Sequence, residues 1–202
     1  MPVLPSAAQE VLRFWFGDGD DAQSIARNAS RWWQANAALD AEIAQRFTAL
    51  RDQAIAGQLG AWLQVPHGRL ASIVLIDQFS RNLFRRDPRA FEHDASARHW
   101  CEEGLDAGAD QALRPVERVF FYLPLEHSEL LADQDRSVQL FTRLCDEVPA
   151  ALRDPFAHFL EYAQRHRAVI ARFGRFPHRN AVLGRESTPQ EVAFLQQPGS
   201  SF

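Results

Sequence analysis

The chain has no lysine: all twenty-two of its basic residues are arginine. That excludes a lysine nucleophile, a Schiff-base lysine and the lysine of a phosphate-binding loop. Arginine keeps its charge and grips carboxylate or phosphate through a planar fork, so a cationic site built here binds or stabilises negative charge and donates no proton. Cysteine is scarce as well. Cys101 and Cys145 lie far apart without metal-ligand spacing, each on an apolar helical face, and both read as reduced core residues. No apolar run approaches membrane-spanning length, and the first ten residues hold no basic segment ahead of an apolar core, which predicts a cytoplasmic protein with no membrane association. A net charge of -4 gives no reason to expect nucleic-acid binding. No segment alternates apolar and polar residues between hairpin turns, as a half-buried strand would.

What is present is helical. Hydrophobic residues make up 46% and aromatics 11%, with fifteen Phe and five Trp, which argues for a filled interior and one domain over residues 1–202. Ser6 reads as the cap of a helix bearing Val11, Phe14 and Trp15 and closed by Gly17, and a short helix is expected around Trp32 and Trp33. Asp40 reads as the cap of a helix carrying Ile43, Phe47, Leu50 and Ala54, ended by Gly57. Asp87-Pro88, Asp154-Pro155 and Thr188-Pro189 each set a capping side chain before a proline suited to the first helical position, and Glu191 completes a capping box. Further helices are expected over 69–84, 88–104 and 115–126. Another, carrying Val138, Phe141, Cys145 and Val148, ends before Pro149. The fold class is all-α. Short loops between antiparallel helices suit a bundle or an array of stacked helical hairpins. The small residues Ala90, Ala97, Cys101 and Gly104 favour the array by admitting a close neighbour.

The informative residues are those whose polarity conflicts with their position. Between Arg165 and Arg185 lie six arginines, two histidines and no acid, in a chain that is otherwise acidic, and such a cluster beside aromatics is where an anionic partner docks. At about 100° per residue, Phe156, Phe159, Leu160, Ala163 and Ile170 share a face whose arc also holds His166 and Arg167. A buried guanidinium is costly unless acids or carbonyls satisfy it, so Arg167 is expected to meet an acid from another helix. Asp77, Asp94 and Glu126 are the candidates. Asp77 and Glu126 stand out because each emerges from an apolar run, 73–76 and 119–125.

Each of these features has two readings. Asp77, Arg81 and Arg85 form either part of a polar centre or a solvated ion-pair ladder on successive turns. His127 is a general base oriented by Glu126 or Glu129, or a helix C-terminal histidine favoured by the dipole. No paired histidines at ligand spacing accompany Glu126, His127 and Glu129, so no metal is expected, and no cofactor is indicated. The glycine and proline loop from Phe173 to Asn180 gathers Arg175, His178, Arg179 and Asn180 beside Phe173 and Phe176. It holds a small anion, or its arginines pair with acids of neighbouring helices.

Four stretches carry a resemblance to a family: residues 14–17 (Phe-Trp-Phe-Gly), 76–82 (Ile-Asp-Gln-Phe-Ser-Arg-Asn), 121–129 (Phe-Tyr-Leu-Pro-Leu-Glu-His-Ser-Glu) and 166–180. In these the chain resembles the bacterial family known as domain of unknown function 924. The resemblance implies an all-helical fold similar to the right-handed tetratricopeptide superhelix, with no established activity. It singles out Asp77, Arg81, Asn82, Glu126, His127, Ser128, Arg167, Arg175, His178, Arg179 and Asn180 without giving them roles. Gln190 stands where an acid is usual in that family.

The expectation for function is a small anionic ligand bound where Asp77, Arg81, Asn82, Glu126, His127, Arg167 and the Arg175–Asn180 loop converge. Two alternatives stand beside it. One is a scaffold that holds a peptide or protein in a helical groove. The other is an enzyme using His127 as acid and base with arginines stabilising a negative intermediate.

Overall fold

The structure, a computed structural model, describes residues 3–201, and every regular element among them is helical. Ten α-helices follow one another: α1 (Ser6–Phe16), α2 (Asp21–Trp33), α3 (Ala37–Ile55), α4 (Pro66–Ile73), α5 (Phe79–Leu83), α6 (Asp94–Asp106), α7 (Pro115–Glu126), α8 (Leu131–Glu147), α9 (Arg153–Phe173) and α10 (Pro189–Leu195). The all-α expectation is therefore met. No helix among the described residues is long and apolar enough to cross a membrane.

Helix α7 is the centre. It is mostly apolar, and from Val116 to Glu126 every residue is buried, Glu117, Arg118 and Glu126 included, with α2, α4, α6, α8 and α9 packed against it. Aromatic edges fill the adjoining core: Trp15 meets Phe79 at 5.4 Å and Phe120 at 5.7 Å between ring centroids, and Phe47 meets Phe79 at 5.1 Å. Gly104 on α6 permits close contact with α4 and α7, because a Cβ there would fall 2.5 Å from Phe121 and 2.6 Å from Arg69. A smaller apolar cluster, Val169, Ile170 and Phe176 with Phe173 and Phe194, anchors the arginine-rich loop to α9 and α10.

Several helix boundaries differ from the sequence expectation, each for a local reason. The cap of α3 is Asn36, whose side chain accepts from the backbone N–H groups of Ala38 and Leu39. Asp40 instead accepts two hydrogen bonds from the Arg85 guanidinium. Asp87 and Pro88 open only a single 3-10 turn, and α6 begins at Asp94. Helix α9 starts at Arg153, one residue before the expected Asp154 cap. The continuous helix expected over 69–84 is interrupted by one wide turn, Val74–Gln78, in which Phe79 N–H bonds to Val74 O in the five-residue spacing of a π-helix. Thr188 and Glu191 do form the capping box, with Thr188 N 2.7 Å from the Glu191 carboxylate and Glu191 N 3.2 Å from Thr188 Oγ1.

Candidate functional site

The wide turn places Asp77. Single π-turns inside α-helices recur at functional sites because the inserted residue re-aims its side chain, and here Asp77 points into the core at 1% exposure. Its carboxylate is fully occupied. Oδ1 lies 2.8 Å from His127 Nδ1 and 3.1 Å from an Arg81 Nη, and Oδ2 accepts from Gln78 Nε2 at 2.6 Å. Burial alone would raise its pKa, but the charge of Arg81 and the bond to His127 outweigh that and hold the acid well below the usual carboxylate range. Arg81 is held in turn by a bidentate pair to Asp94 at 2.9 and 3.0 Å and by the Asp77 carbonyl at 2.8 Å.

His127 caps the end of α7 just after the buried helix stops. An ionised carboxylate only accepts, so the proton of the neutral imidazole sits on Nδ1 and the lone pair on Nε2. Burial, reinforced by Arg81 and opposed by Asp77, pushes the His127 pKa down, so the ring is neutral at neutral pH. Beside it lies a second acid–histidine pair. Glu126 Oε1 is 3.2 Å from His166 Nδ1, both side chains are buried, and the two imidazoles are 6.5 Å apart. Burial and the nearby Asp77 charge raise Glu126 to about 8, while burial lowers His166 to about 3. This pair is therefore a contact between neutral groups. His166 Nδ1 donates to the Tyr162 carbonyl at 2.9 Å.

The arginine-rich stretch divides. Gly174, in the left-handed region at φ 67°, ends α9 and turns the chain back. Arg175 is taken by Glu191 at 2.7 and 2.8 Å, Asn180 donates to Ser187 Oγ at 3.0 Å, and Arg185 pairs with Glu129. Arg179 alone reaches the centre. Its Nη1 donates to the His127 carbonyl at 3.0 Å, Asp94 is 3.6 Å away, and its plane lies over Phe176 and Phe91 at 4.4 and 4.8 Å. Burial and the Arg81 charge lower its pKa to about 10, which still leaves it charged at neutral pH. Its Nε has no hydrogen-bond acceptor among the described residues.

Four sequence expectations need correction. Arg167 is half exposed and pairs with Asp135, so neither Asp77 nor Glu126 is its partner. It sits at the margin of the apolar arc, where a long side chain reaches water, and His166 fills the interior place. The Asp77–Arg81–Arg85 ladder is split, since Arg85 leaves for Asp40. Asn82 also turns to Asp40, at 2.8 Å, away from His127. Neither Glu126 nor Glu129 orients His127: Asp77 does, while Glu129 accepts from Arg185 and from the Phe176 N–H.

The structure thus brings Asp77, Arg81, His127 and Arg179 together, with Glu126 behind them. His178, half-buried and lowered to about 4 by burial and Arg179, flanks the group. Arg167, Arg175, Asn82 and Asn180 serve other contacts. Above His127 opens a cleft of about 360 Å³, walled by Phe91, Pro124, Leu130 and Leu183 and carrying Asp94, Arg98, His127, Glu129 and Arg179 on its polar side. Ser128 also lines it, but its hydroxyl donates to Asp133 at 2.5 Å and is not aligned as a nucleophile for His127. Among the described residues no group of three or more His, Cys, Asp or Glu is arranged to hold a metal ion. The residues that sequence reasoning undervalued are Asp94 and His166. Asp94 lay on the small-residue face of its helix, and that face is where α6 meets the centre.

The protein is all-helical among its described residues, with a buried Asp77–His127–Arg81 centre beneath a small cleft. The chain belongs to the family described as bacterial protein of unknown function (DUF924), whose model matches residues 11–199. It is similar to a solved structure, the protein of unknown function ATU0120 from Agrobacterium tumefaciens, with 34% identity, 94% of this chain and 96% of that one covered, and a TM-score of 0.80. No curated protein matches it.

Proposed function

We propose that the cleft binds a small anionic molecule, with Arg179 as its anchor and His127 as the neighbouring hydrogen-bonding group. The observation that carries this reading is the state of Arg179. It is a buried cation on the wall of an open cleft, with one short hydrogen bond to a neutral carbonyl, a longer ion pair to Asp94 at 3.6 Å that Asp94 shares with Arg81, and a buried Nε without an acceptor among the described residues. A buried charge so thinly compensated costs stability, and an anion in the cleft offsets that cost. The apolar walls and a volume of about 360 Å³ suit a small organic molecule. Glu92, Asp94 and Glu129 stand among the arginines, which fits a compact ligand better than the phosphate track of a nucleic acid.

We place this site in a single cytoplasmic domain spanning the chain. The reading of stacked helical hairpins of the tetratricopeptide kind is supported by α7 packing on α8 and α8 on α9. A peptide-binding scaffold needs a long groove, whereas the polar groups here converge on one point.

The test is thermal unfolding of the full chain against phosphate, sulfate, small carboxylates and nucleotides, repeated in Arg179→Gln. A ligand of the native state raises the midpoint, by about 2.7 kcal/mol of stabilisation at a hundredfold excess over Kd. At least one anion class is expected to raise it in the parent chain and none in the variant. No shift with any anion, or an equal shift in Arg179→Gln, overturns the proposal.

A further inference from the structure

The cleft offers two complementary groups side by side, and together they define a ligand more narrowly than its charge does. Arg179 donates to the His127 carbonyl, and both residues line the same cleft of about 360 Å³, so a small ligand there meets the guanidinium and the imidazole together. The imidazole is not free to present either edge. Its Nδ1 is fixed on Asp77 at 2.8 Å, and Asp77 is itself clamped by Arg81 and Gln78, so the ring cannot turn without breaking a buried network. The edge left for the cleft is Nε2, which makes no hydrogen bond among the described residues and carries the lone pair. A lone pair asks for a donor.

Resting on the anion-binding reading above, we infer that the ligand is a small hydroxycarboxylate: its carboxylate is held by Arg179, its hydroxyl donates to His127 Nε2, and an apolar substituent packs on Phe91, Pro124, Leu130 and Leu183. The hydroxyl lies close to the carboxylate in the ligand, as in a 2- or 3-hydroxy acid, because Arg179 and His127 share one cleft of about 360 Å³ with its apolar walls. The apolar walls favour an aryl or branched alkyl substituent over a bare two- or three-carbon acid. Ser128 does not compete for the hydroxyl, being committed to Asp133. The other titratable groups near the ring are Asp94 and Arg179 on the cleft side and Glu126, His166 and His178 behind and beside it. None of them donates to Nε2.

The fixed tautomer makes the inference testable. A site built to accept a hydroxyl proton discriminates against a ligand that lacks the proton, because the acceptor is then left unpaired. Calorimetric titration of the full chain would use mandelate, its O-methyl ether and phenylacetate, three carboxylates that share the aryl ring. The parent is expected to bind mandelate at least about tenfold more tightly than either analogue, a difference of about 1.4 kcal/mol. In Asp77→Asn the oxygen stays at the Oδ1 position, where Arg81 and His127 Nδ1 both donate, and the NH2 group faces the Gln78 amide, which can turn its oxygen towards it, so the proton stays on Nδ1. Mandelate should keep its advantage over the ether in that variant.

A His127→Gln variant and circular dichroism of both variants separate loss of the fold from loss of recognition. His127→Gln is expected to stay folded and to lose most of the preference for mandelate. Equal binding of all three acids by the parent, still dependent on Arg179, overturns the hydroxyl inference and leaves the anion site standing. The same holds if phosphate or nucleotides bind and none of these acids does. If no anion of any class binds, the anion site itself fails and the inference with it.

Discussion

Two acid–histidine pairs sit side by side in this protein, and they are in opposite states. Asp77 with His127 and Glu126 with His166 are built from the same functional groups, at 2.8 and 3.2 Å, with the imidazoles 6.5 Å apart. Asp77 is held ionised well below its ordinary range, whereas Glu126 is raised to about 8 and stays protonated. Burial acts on both in the same direction. What Asp77 has and Glu126 lacks is first Arg81, at 3.1 Å, and after it the bonds from His127 and Gln78. The Arg81 charge is thus the largest of the effects that keep Asp77 ionised and able to hold His127 in a fixed tautomer at the cleft, and the charge on Asp77 helps keep the second pair neutral.

Removing Arg81 should break the comparison outright. Arg81→Met takes from the buried Asp77 its neighbouring cation and leaves the partly exposed Asp94 with Arg179 at 3.6 Å, and breaking a buried pair from one side costs about 3–5 kcal/mol. Denaturant unfolding at pH 7 should show that loss, with the deficit shrinking as the pH is lowered and Asp77 becomes protonated. A loss below about 1 kcal/mol at pH 7 would show that Arg81 is not what keeps the two pairs apart.

The neutral pair gives a smaller effect with a definite sign. Glu126 titrates at 4.5 when free and at about 8 when folded. The native state thus holds an extra proton between those values, and stability falls as pH rises through that window. His166 titrates at 6.5 when free and at about 3 when folded. Its contribution is complete above 6.5 and is lost as pH falls towards 3. The two slopes cancel between pH 4.5 and 6.5. Glu126→Gln, which mimics the protonated acid, should abolish the decline above pH 6.5 and be more stable than the parent at pH 8 by on the order of a few kcal/mol. Near pH 4.5 the two should be alike. A parent whose stability is flat from pH 6.5 to 8 would show that Glu126 is ionised in the native state.

How much of this was legible in the sequence follows from what kind of interaction each residue makes. The helices follow from period and caps, local properties that a single strand of sequence carries, and α7 was placed to the residue. The turn that aims Asp77 was invisible, because nothing in the run Ile73 to Asn82 departs from an α-helical pattern. The one added residue in that turn is set by packing against α3, α6 and α7. The buried acids were legible as acids after apolar runs, but their partners were not. Asp77 finds His127 fifty residues away and Arg179 finds the carbonyl of His127 fifty-two away, and pairing over such distances depends on how helices stack.

Arg167 shows the same limit from the other side, and it supplies the smallest prediction. Its helical phase put it within the apolar arc of α9, and the cost of burying a guanidinium then required an acid in the core. The structure removes the premise: the side chain leans out from the margin of the arc to Asp135, and both groups are more than two-fifths exposed. An ion pair in that setting is screened by water and contributes about 0–1 kcal/mol. Arg167→Met should therefore unfold within about 0.5 kcal/mol of the parent and keep whatever anion affinity the cleft has. His166, one residue earlier on the same helix, faces the centre, so adjacent positions separate a surface pair from the buried one. Loss of anion binding in Arg167→Met would return this arginine to the site and would mean that α9, as well as its following loop, forms the wall of the cleft.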